Sequence, residues 1–544
     1  MSHGEVKIAK NGNGTHVEVP RERSESPPPS PDGGWGWMVV FASFMIHIVT
    51  DGMTYSFGVF FSEFVTYFEE GSGKTAWILS ILVGMTLSSG PISSSFVNRW
   101  GCQAVTVAGA LLSATCLVLS SFAQNVNTLI VTIGVGTGLG FGLIYLPAIV
   151  SVTVWFERYR SLATGIAVCG SGLGTFLFAP ITSTLIERYG WRGALIITGG
   201  LTLNCIPLGL MFRPVPEPPR SPVTEPMLPK SNSSPLKRSQ SSEHLAKANG
   251  KVNDGNDVGR LTLSQPALNK PQEQKLQSHS RHGSGIMQRP DVLYQGSMTS
   301  LARYRASSPE RTFPVKEERV PNCPWLLCSD ESKAALSEML NLSLLLDPIF
   351  ILFSVSNFLT SVGFYIPYLY TVPLCESLGI ENPPYLLSLI GAANLVGRII
   401  LGYISDKPWV NRLLAYNLCL TIAGICTVLV NVCWEFWGLA VYAVIFGFTI
   451  GAYVGLTSVV LADLLGIEKL TNAFGLLLLF QGIASLLGPP LAGLLHDKLH
   501  SYAPGFYVAG GTIAVSGLML FVIPIVERRQ NRKRWEEETA MEQI

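Results

Sequence analysis

The sequence predicts an all-α membrane protein with twelve transmembrane helices arranged as two six-helix bundles. Of its 544 residues, 48% are hydrophobic and only 14% are charged, a balance typical of a polytopic membrane protein. The mean hydropathy is positive, at +0.35. Apolar runs long enough to cross a hydrocarbon core of about 30 Å form two groups of six, with a long polar segment between the groups.

Each apolar run has about the 20 residues that a helix needs to cross the membrane. The first group predicts helices near residues 35–61, 76–97, 103–123, 128–152, 162–185 and 193–212. The second group predicts helices near residues 347–372, 384–405, 411–431, 436–462, 472–495 and 504–526. We therefore expect an N-terminal six-helix bundle over residues 34–212 and a C-terminal six-helix bundle over residues 341–526.

The segments outside the bundles are polar. Residues 213–340 are rich in Ser, Pro, Lys, Arg and Gln and have no sustained apolar period. Such a segment cannot bury enough surface to offset its chain entropy, so we expect a disordered loop. Residues 1–33 have a similar composition and predict a disordered N-terminus, and residues 527–544 form a charged C-terminal tail.

The distribution of Lys and Arg between the predicted helices indicates the orientation. One set of short loops is richer in positive charge and lies on the same side as the central segment and the C-terminal tail. Its basic residues are Arg99, Arg158, Arg160, Lys407, Arg412 and Lys469. Because positively charged loops stay in the cytoplasm, both termini and the central loop are expected to be cytoplasmic.

Polar turns recur at corresponding positions in the two halves. "SSSFVNRWG" follows the second predicted helix and "LGYISDKPW" follows the eighth, and further polar turns follow the fifth and eleventh helices on the other side. Three-helix units in inverted pairs, doubled by a parallel repeat, are the construction of major facilitator transporters. The alternative is that any hairpin between two membrane helices needs a polar turn.

Two motifs resemble the signature motifs of the monocarboxylate transporter family. "PDGGWGW" opens the first predicted helix, and "WFERYRSLATGIAVCGSGLG" opens the fifth. The resemblance covers both bundles and implies a major facilitator fold that carries a small solute, in some members together with a proton. It assigns a gating or helix-anchoring role to Asp32, Gly33, Gly34, Trp35, Trp37, Arg158 and Arg160.

The resemblance also implies a multi-pass protein of the plasma membrane. The expected partners are a small-molecule substrate, which the resemblance implies to be a monocarboxylate, and membrane lipid. Since some relatives travel with a single-span glycoprotein, an ancillary glycoprotein is a further candidate partner. Basic residues are concentrated in tails and loops, which does not indicate nucleic-acid binding. The sequence has no metal-like cysteine spacing, nucleophile elbow or phosphate loop, so we expect no enzyme, metal or cofactor.

The first predicted helix contains polar side chains at membrane depth. His47, Asp51 and Tyr55 are spaced by four residues and therefore project from one helix face. A charge inside a span usually faces a cavity and marks a substrate or ion path, so we expect this face to line the central cavity. The alternative is that Asp51 caps a break in the helix. His47 and Asp51 are the candidates for proton coupling.

Arg398 in the eighth predicted helix is the first candidate for substrate binding, because a guanidinium presents a planar fork suited to a carboxylate. The alternative is a structural ion pair. In the family pattern an acid lies four residues before this arginine, whereas this sequence has Asn394. The family's proton-accepting lysine in the first helix corresponds to Tyr55. We expect Asp51 to act as the partner of Arg398 in place of the missing acid.

Further candidates for contact with the solute are polar residues within the spans, namely Tyr145, Asn357, Tyr365, Tyr453 and Gln481. Each is alternatively an interhelical contact. The predicted function is a secondary transporter that moves a monocarboxylate by alternating access, with or without a proton. The alternatives are a pH-independent facilitator for creatine, an aromatic amino acid or thyroid hormone, and a sensor built on a transporter fold.

Overall fold

A computed structural model of the protein describes residues 31–215 and 342–530, except 406, 408, 467 and 468, together with residues 9–10, 16–17, 292–293 and 532. The predicted disordered segments and the C-terminal tail therefore lie largely outside the described residues. Within the described chain the only sheet is an antiparallel pair of two-residue strands, β1 (Ala9–Lys10) and β2 (His16–Val17). The rest of the regular structure is helical.

The N-terminal half consists of eight α-helical segments and one π-helical segment in the described residues. These are α1 (Gly36–Tyr55), α2 (Phe57–Phe68), α3 (Ser72–Ser88), α4 (Gly90–Ser120), α5 (Val126–Leu129), the π-helix Ile130–Thr137, α6 (Gly138–Trp155), α7 (Arg160–Leu203) and α8 (Cys205–Leu210). Thus α1 and α2 form the first span with a break at Ser56. The first span extends seven residues beyond the predicted end at 61.

The C-terminal half has six long helices in the described residues. They are α9 (Pro348–Ser377), α10 (Pro384–Ser405), α11 (Arg412–Leu429), α12 (Phe436–Leu465), α13 (Leu470–Leu499) and α14 (Ala503–Met519). Short 3-10 turns at Leu342–Leu346, Val430–Val432 and Leu520–Val522 flank α9, α11 and α14. Asp347 caps α9 because its side chain accepts a hydrogen bond from the backbone N–H of Ile349 at 2.9 Å.

Two glycines separate spans that otherwise form continuous helices. Ten helices in the described residues are long and apolar enough to cross a membrane. Gly101 (φ 78°) interrupts α4 and Gly190 (φ 68°) interrupts α7, each with a non-helical backbone that glycine adopts without a Cβ penalty. Dividing the chain at these kinks, and joining α3 to the start of α4, gives the twelve spans that the sequence predicts for an all-α membrane protein.

The outward surface of the bundles is apolar. Large hydrophobic side chains are exposed along several helices, among them Leu111 in α4, Ile422 in α11 and Val441 in α12. A soluble protein rarely exposes extended apolar surface, whereas a lipid bilayer solvates it. The polar backbone groups are satisfied inside the helices, which is what a hydrocarbon environment demands.

The helices alternate in direction between two faces. We call the end that contains Asp32, Trp155 and Arg213 the loop face, and the end that contains Phe68, Ser377 and Leu499 the opposite face. The most extensive contacts between the two halves are α3 with α13 and α7 with α10, and α2 also packs against α9. At the opposite face Ser62 donates a hydrogen bond to Glu376, which closes that end between α2 and α9.

A carboxylate of one half caps a helix of the other half at the opposite face. Oδ1 of Asp497 accepts a hydrogen bond from the backbone N–H of Ser72 at 2.8 Å, and its Oδ2 accepts one from Gly73 at 2.9 Å. These N–H groups open α3, where the helix dipole favours a negative charge. His496 Nδ1 lies 3.2 Å from Ser72 Oγ and extends the same contact. The opposite face is therefore closed in this conformation.

Replacing Asp497 by asparagine is expected to weaken this closure. A carboxylate on two N-terminal N–H groups contributes about 1–2 kcal/mol, which corresponds to roughly a 5- to 30-fold change in the conformational ratio. The measurement is the disulfide yield between Ser62→Cys and Glu376→Cys, which lie on the two halves. Lys498→Gln is the matched control, because Lys498 is exposed. Equal yields in both variants would contradict the expected role of Asp497.

Candidate substrate site

Arg398 projects from α10 of the C-terminal half and reaches the N-terminal half. Its side chain is 6% exposed. Nε donates to Oδ1 of Asn394 at 2.8 Å, and Nη1 donates to the carbonyl oxygen of Val168 in α7 at 2.9 Å. Neither acceptor carries a charge, and the guanidinium forms no ion pair with any carboxylate in the described part of the chain. A buried positive charge is thus held between the halves by neutral groups alone.

Asp51 lies within the first span and does not contact Arg398. The carboxylate lines a cavity beside α1 and makes neither a hydrogen bond nor an ion pair with a described residue. Arg398 acts on Asp51 electrostatically. The predicted contact between Asp51 and Arg398 is therefore not formed in this conformation. The break after α1 is at Ser56, whose N–H bonds to the carbonyl of Gly52, so Asp51 does not cap that helix end.

The predicted polar face of α1 divides into a closed and an open part. His47 is fully buried, and its Nδ1 lies 2.7 Å from the carbonyl oxygen of Ser43 on the same helix. Its Nε2 has no described partner, and its ring packs edge-on to Tyr145 with centroids 5.3 Å apart. Asp51 and Tyr55 line cavities, whereas His47 lies behind Tyr145. Of the two proton-coupling candidates, only Asp51 lines one of the two cavities.

Two adjacent cavities lie between the halves. They share four lining residues, Tyr55, Leu87, Tyr145 and Tyr365. The first has about 40 Å³ and the second about 80 Å³ open to the centres of water-sized molecules. The first is completed by Thr50, Asp51, Thr54, Val83, Thr86 and Phe141. Spaces of this size suit a small solute, since about 10–15 Å³ on this measure holds one water molecule.

The second cavity extends into the C-terminal half. Its wall includes Val168, whose carbonyl oxygen accepts the bond from Arg398, and the hydroxyl- and amide-bearing residues Tyr453 and Gln481. Other polar lining residues are Ser361, Thr457 and Ser458. The predicted residues Tyr55, Tyr145 and Tyr365 therefore come together around one space. Arg398 and Asn394 line neither cavity, and Arg398 is connected to the second cavity through its hydrogen bond to Val168.

Tyr55 joins the halves through an aromatic stack. Its ring lies 4.8 Å from that of Tyr368 with an interplanar angle of 25°, and 6.2 Å from that of Tyr365. Tyr368 was not among the sequence-predicted residues. Its spacing of three residues from Tyr365 places both on one face of α9, and this signal could have identified it. Tyr55 thus contributes an aromatic ring to the contact between the halves.

Asn357 is the centre of a buried hydrogen-bond network in the C-terminal half. Its Oδ1 accepts from Tyr416 at 3.3 Å, from Tyr453 at 3.2 Å and from Gln481 at 3.0 Å. Its Nδ2 donates to the carbonyl oxygen of Phe353 at 2.9 Å. Asn357 is fully buried and lines neither cavity. In this conformation it orients Tyr453 and Gln481, and those two residues face the cavity.

The signature motif forms a connection at the loop face. Oδ1 of Asp32 accepts hydrogen bonds from the backbone N–H groups of Glu157 at 2.7 Å and Arg158 at 2.8 Å, just before α7 begins. Trp35 Nε1 donates to the carbonyl of Met211 at 2.9 Å. The ring of Trp37 packs edge-on to that of Phe156, with centroids 5.0 Å apart. The motif therefore connects the start of the first span to the fourth, fifth and sixth spans.

The other motif residues support this connection. Gly33 precedes Gly34, which has φ +58°, a conformation that favours glycine over residues with a Cβ. Arg160 is fully buried, and its Nε donates to the carbonyl of Phe156 at 2.8 Å. Arg158 is exposed at the loop face. This geometry supports helix anchoring for the motif and places it away from the cavities.

Replacing Asp32 by alanine is expected to lower the thermal stability of the protein. The change removes the acceptor of two backbone N–H groups and costs about 1–2 kcal/mol. Asp32 also has a positive φ of 50°, which asparagine tolerates better than alanine. The measurement is Tm in detergent, with Asp32→Asn as the control that keeps one oxygen acceptor. We expect a clearly lower Tm for Asp32→Ala than for Asp32→Asn, and equal values would contradict a capping role.

Comparison with known proteins agrees with this architecture. The family model described as Major Facilitator Superfamily matches residues 39–434 and 411–543. Monocarboxylate transporter 12 of Xenopus laevis is 31% identical over 497 residues, which cover 90% of this chain and 89% of that protein. Monocarboxylate transporter 7 of Homo sapiens is 30% identical over 489 residues, with 89% of this chain and 85% of that protein covered. Monocarboxylate transporter 14 of Homo sapiens is 30% identical over 503 residues, which cover 91% of this chain and 92% of that protein.

These matches span both six-helix halves, and their identities reach 30% or more over nine-tenths of the chain. They confirm both the resemblance to the monocarboxylate transporters and the predicted major facilitator fold. A membrane protein with two helical halves around a central cavity is the architecture of a carrier. The chain belongs to the monocarboxylate transporter family of the major facilitator superfamily, and it is a transporter and not an enzyme.

Proposed function

We propose that this transporter moves a small monocarboxylate across the plasma membrane by alternating access, with Arg398 as the residue that binds the carboxylate. The observation that carries the proposal is the environment of the guanidinium. It is buried between the halves, and within the described residues its hydrogen-bond partners are the neutral groups of Asn394 and Val168. A buried charge without an opposite charge is costly. An anionic solute supplies the missing charge.

The geometry also links binding to the movement of the halves. Arg398 belongs to the C-terminal half, and its bond to the Val168 carbonyl crosses to the N-terminal half. A carboxylate accepts a bidentate pair of hydrogen bonds from a guanidinium and competes for Nη1. Binding would then exchange a contact between the halves for a contact with the solute, which is the differential interaction that a conformational change requires.

The orientation in the membrane follows from charge. The short loops at the loop face contain Arg99, Arg158 and Lys407, and positively charged loops favour the cytoplasm. With the loop face in the cytoplasm, the closed opposite face is extracellular. The conformation described here is then one in which the outer end is shut.

A second candidate substrate class is favoured by Asp51. This carboxylate lines the first cavity without a partner in the described part of the chain, while Arg398 lies close enough to act on it electrostatically. The guanidinium of Arg398 would bind a carboxylate of the solute, and the carboxylate of Asp51 would bind a cationic group. Creatine and amino acids carry both groups. Tyr55 and Asn394 stand where the family pattern has a lysine and an acid, and neither of them is an ammonium or a carboxylate group. Transport of this class is therefore expected to be independent of pH.

The experiment that tests the proposal is uptake of labelled lactate, pyruvate, creatine and an aromatic amino acid, at acidic and at neutral outside pH. It compares the wild type with Asp51→Asn. If a monocarboxylate enters faster at acidic pH and Asp51→Asn removes only the pH dependence, Asp51 is the proton-coupling residue. If creatine or an amino acid enters at either pH and Asp51→Asn abolishes its uptake, Asp51 binds the cationic group. Uptake of none of the four would contradict the proposed substrate classes.

A further inference from the structure

Two residues of the long central segment pack onto the N-terminal bundle. Val292 and Leu293 are each only 1% exposed, and both belong to the buried apolar core. Apolar side chains of a linker between two bundles would ordinarily face water or be absent. Their burial indicates a specific contact with the folded part of the chain.

The contact partner on the bundle is Thr153 in α6. Its hydroxyl donates to the carbonyl oxygen of Val292 at 2.6 Å, across 139 residues of sequence, and a second acceptor is the carbonyl of Val150 at 2.9 Å. Thr153 itself is 1% exposed. A backbone carbonyl of the central segment is therefore paired inside the protein, as buried polar groups require. The contact combines apolar burial with a directed hydrogen bond.

The position of the contact on α6 connects it with the site. Thr153 lies two residues before Trp155, at the loop-face end of the helix. Tyr145, which lines both cavities, is on the same helix about 12 Å farther from the loop face, at a rise of about 1.5 Å per residue. A segment bound to Thr153 thus contacts the loop-face end of a helix that also lines both cavities.

We propose that the loop-face end of α6 is a docking surface for the central segment of the same chain, and that Val292–Leu293 is the part that docks. Bringing together residues so far apart in sequence costs loop-closure entropy, so a contact of this kind persists only if the docked residues gain specific interactions. The hydroxyl of Thr153 and the burial of two adjacent apolar side chains supply them. The proposal depends on neither the substrate nor the direction of transport.

The first test measures the protection of Leu293→Cys in the full-length protein, in a background without the native cysteines. Its reaction with a charged maleimide is compared with the reaction of the same variant unfolded in SDS. We expect labelling of the folded protein to be at least tenfold slower. Adding Thr153→Val, which removes the hydroxyl at nearly constant volume, should speed labelling severalfold, whereas Thr153→Ser should leave it slow. Labelling that is as fast in the folded protein as in SDS would overturn the proposal.

The second test is a disulfide between the two parts. A protease site inserted among residues 240–250 allows the chain to be cut between the bundles after oxidation. Thr153→Cys with Leu293→Cys should hold the two fragments together on a non-reducing gel. The matched control pairs Leu293→Cys with Val154→Cys, whose side chain points about 100° away around α6. Equal cross-linking of both pairs would contradict docking at Thr153.

Discussion

Replacing Arg398 by alanine is expected to lower the affinity for a carboxylate solute about 100-fold. Two charge-assisted hydrogen bonds to a carboxylate contribute roughly 3 kcal/mol together, and each 1.4 kcal/mol is about a factor of ten. The measurement is the concentration dependence of uptake, corrected for the amount of protein in the membrane. Arg398→Lys keeps the charge but loses the planar fork, so we expect an intermediate loss.

The control for Arg398 is stability. Removing the guanidinium takes one donor from Oδ1 of Asn394 and one from the carbonyl of Val168, which still accepts a hydrogen bond from the hydroxyl of Ser171 at 3.0 Å. A purely structural role would therefore lower Tm without a selective effect on affinity. We expect Arg398→Lys to keep a Tm near that of the wild type while its affinity falls. Unchanged uptake in Arg398→Ala, with normal membrane levels, would exclude Arg398 from the binding site.

Replacing Gly391 by alanine is expected to shift the transporter away from the conformation described here by about 30-fold. A Cβ at Gly391 would lie 2.7 Å from the carbonyl oxygen of Gly172 and 2.8 Å from the Cβ of Thr175, both in α7 of the other half. Overpacking of this kind costs about 2 kcal/mol, which gives the expected factor. The change therefore separates α7 from α10 and opposes closure.

The matched control is Gly402→Ala on the same helix. No atom lies within 4 Å of a Cβ placed at Gly402. Both substitutions gain about the same helix propensity, roughly 1 kcal/mol, so their difference isolates the contact between the halves. The measurement is the disulfide yield between Ser62→Cys and Glu376→Cys at the opposite face. We expect a much lower yield with Gly391→Ala and an unchanged yield with Gly402→Ala. A similar yield in both would show that the α7–α10 contact does not control closure.

Much of the fold could be predicted because the membrane limits what a chain can do. Every span must be an apolar helix of about 20 residues, and such a run is visible in the sequence. The breaks at Gly101 and Gly190 fall between predicted spans, although they interrupt otherwise continuous helices in the structure. The extent of the first span was less predictable, because α2 continues past the apolar run into a more polar stretch that ends at Phe68.

The candidate site was only partly predictable. Spacing by four residues predicts that His47, Asp51 and Tyr55 face one cavity. In the structure Asp51 and Tyr55 line cavities, whereas His47 packs against Tyr145 and lines neither of the two cavities. The predicted partnership of Asp51 with Arg398 depended on charge alone. In the structure Arg398 instead bonds to Asn394 and Val168. A backbone carbonyl carries no sequence signal, so this partner could not have been identified from residue types.

Hydropathy and local motifs were sufficient to infer the twelve spans, the two halves, the family and an arginine at membrane depth, because these signals depend on residues that are neighbours in the chain. The three-dimensional arrangement was needed to show which side chains share the cavity, that Asp497 caps α3, and that Thr153 donates a hydrogen bond to Val292. These contacts join residues separated by 425 and 139 positions. The first depends on how helices of the two halves pack, and the second on how the central segment lies against α6. Periodicity within one helix encodes neither.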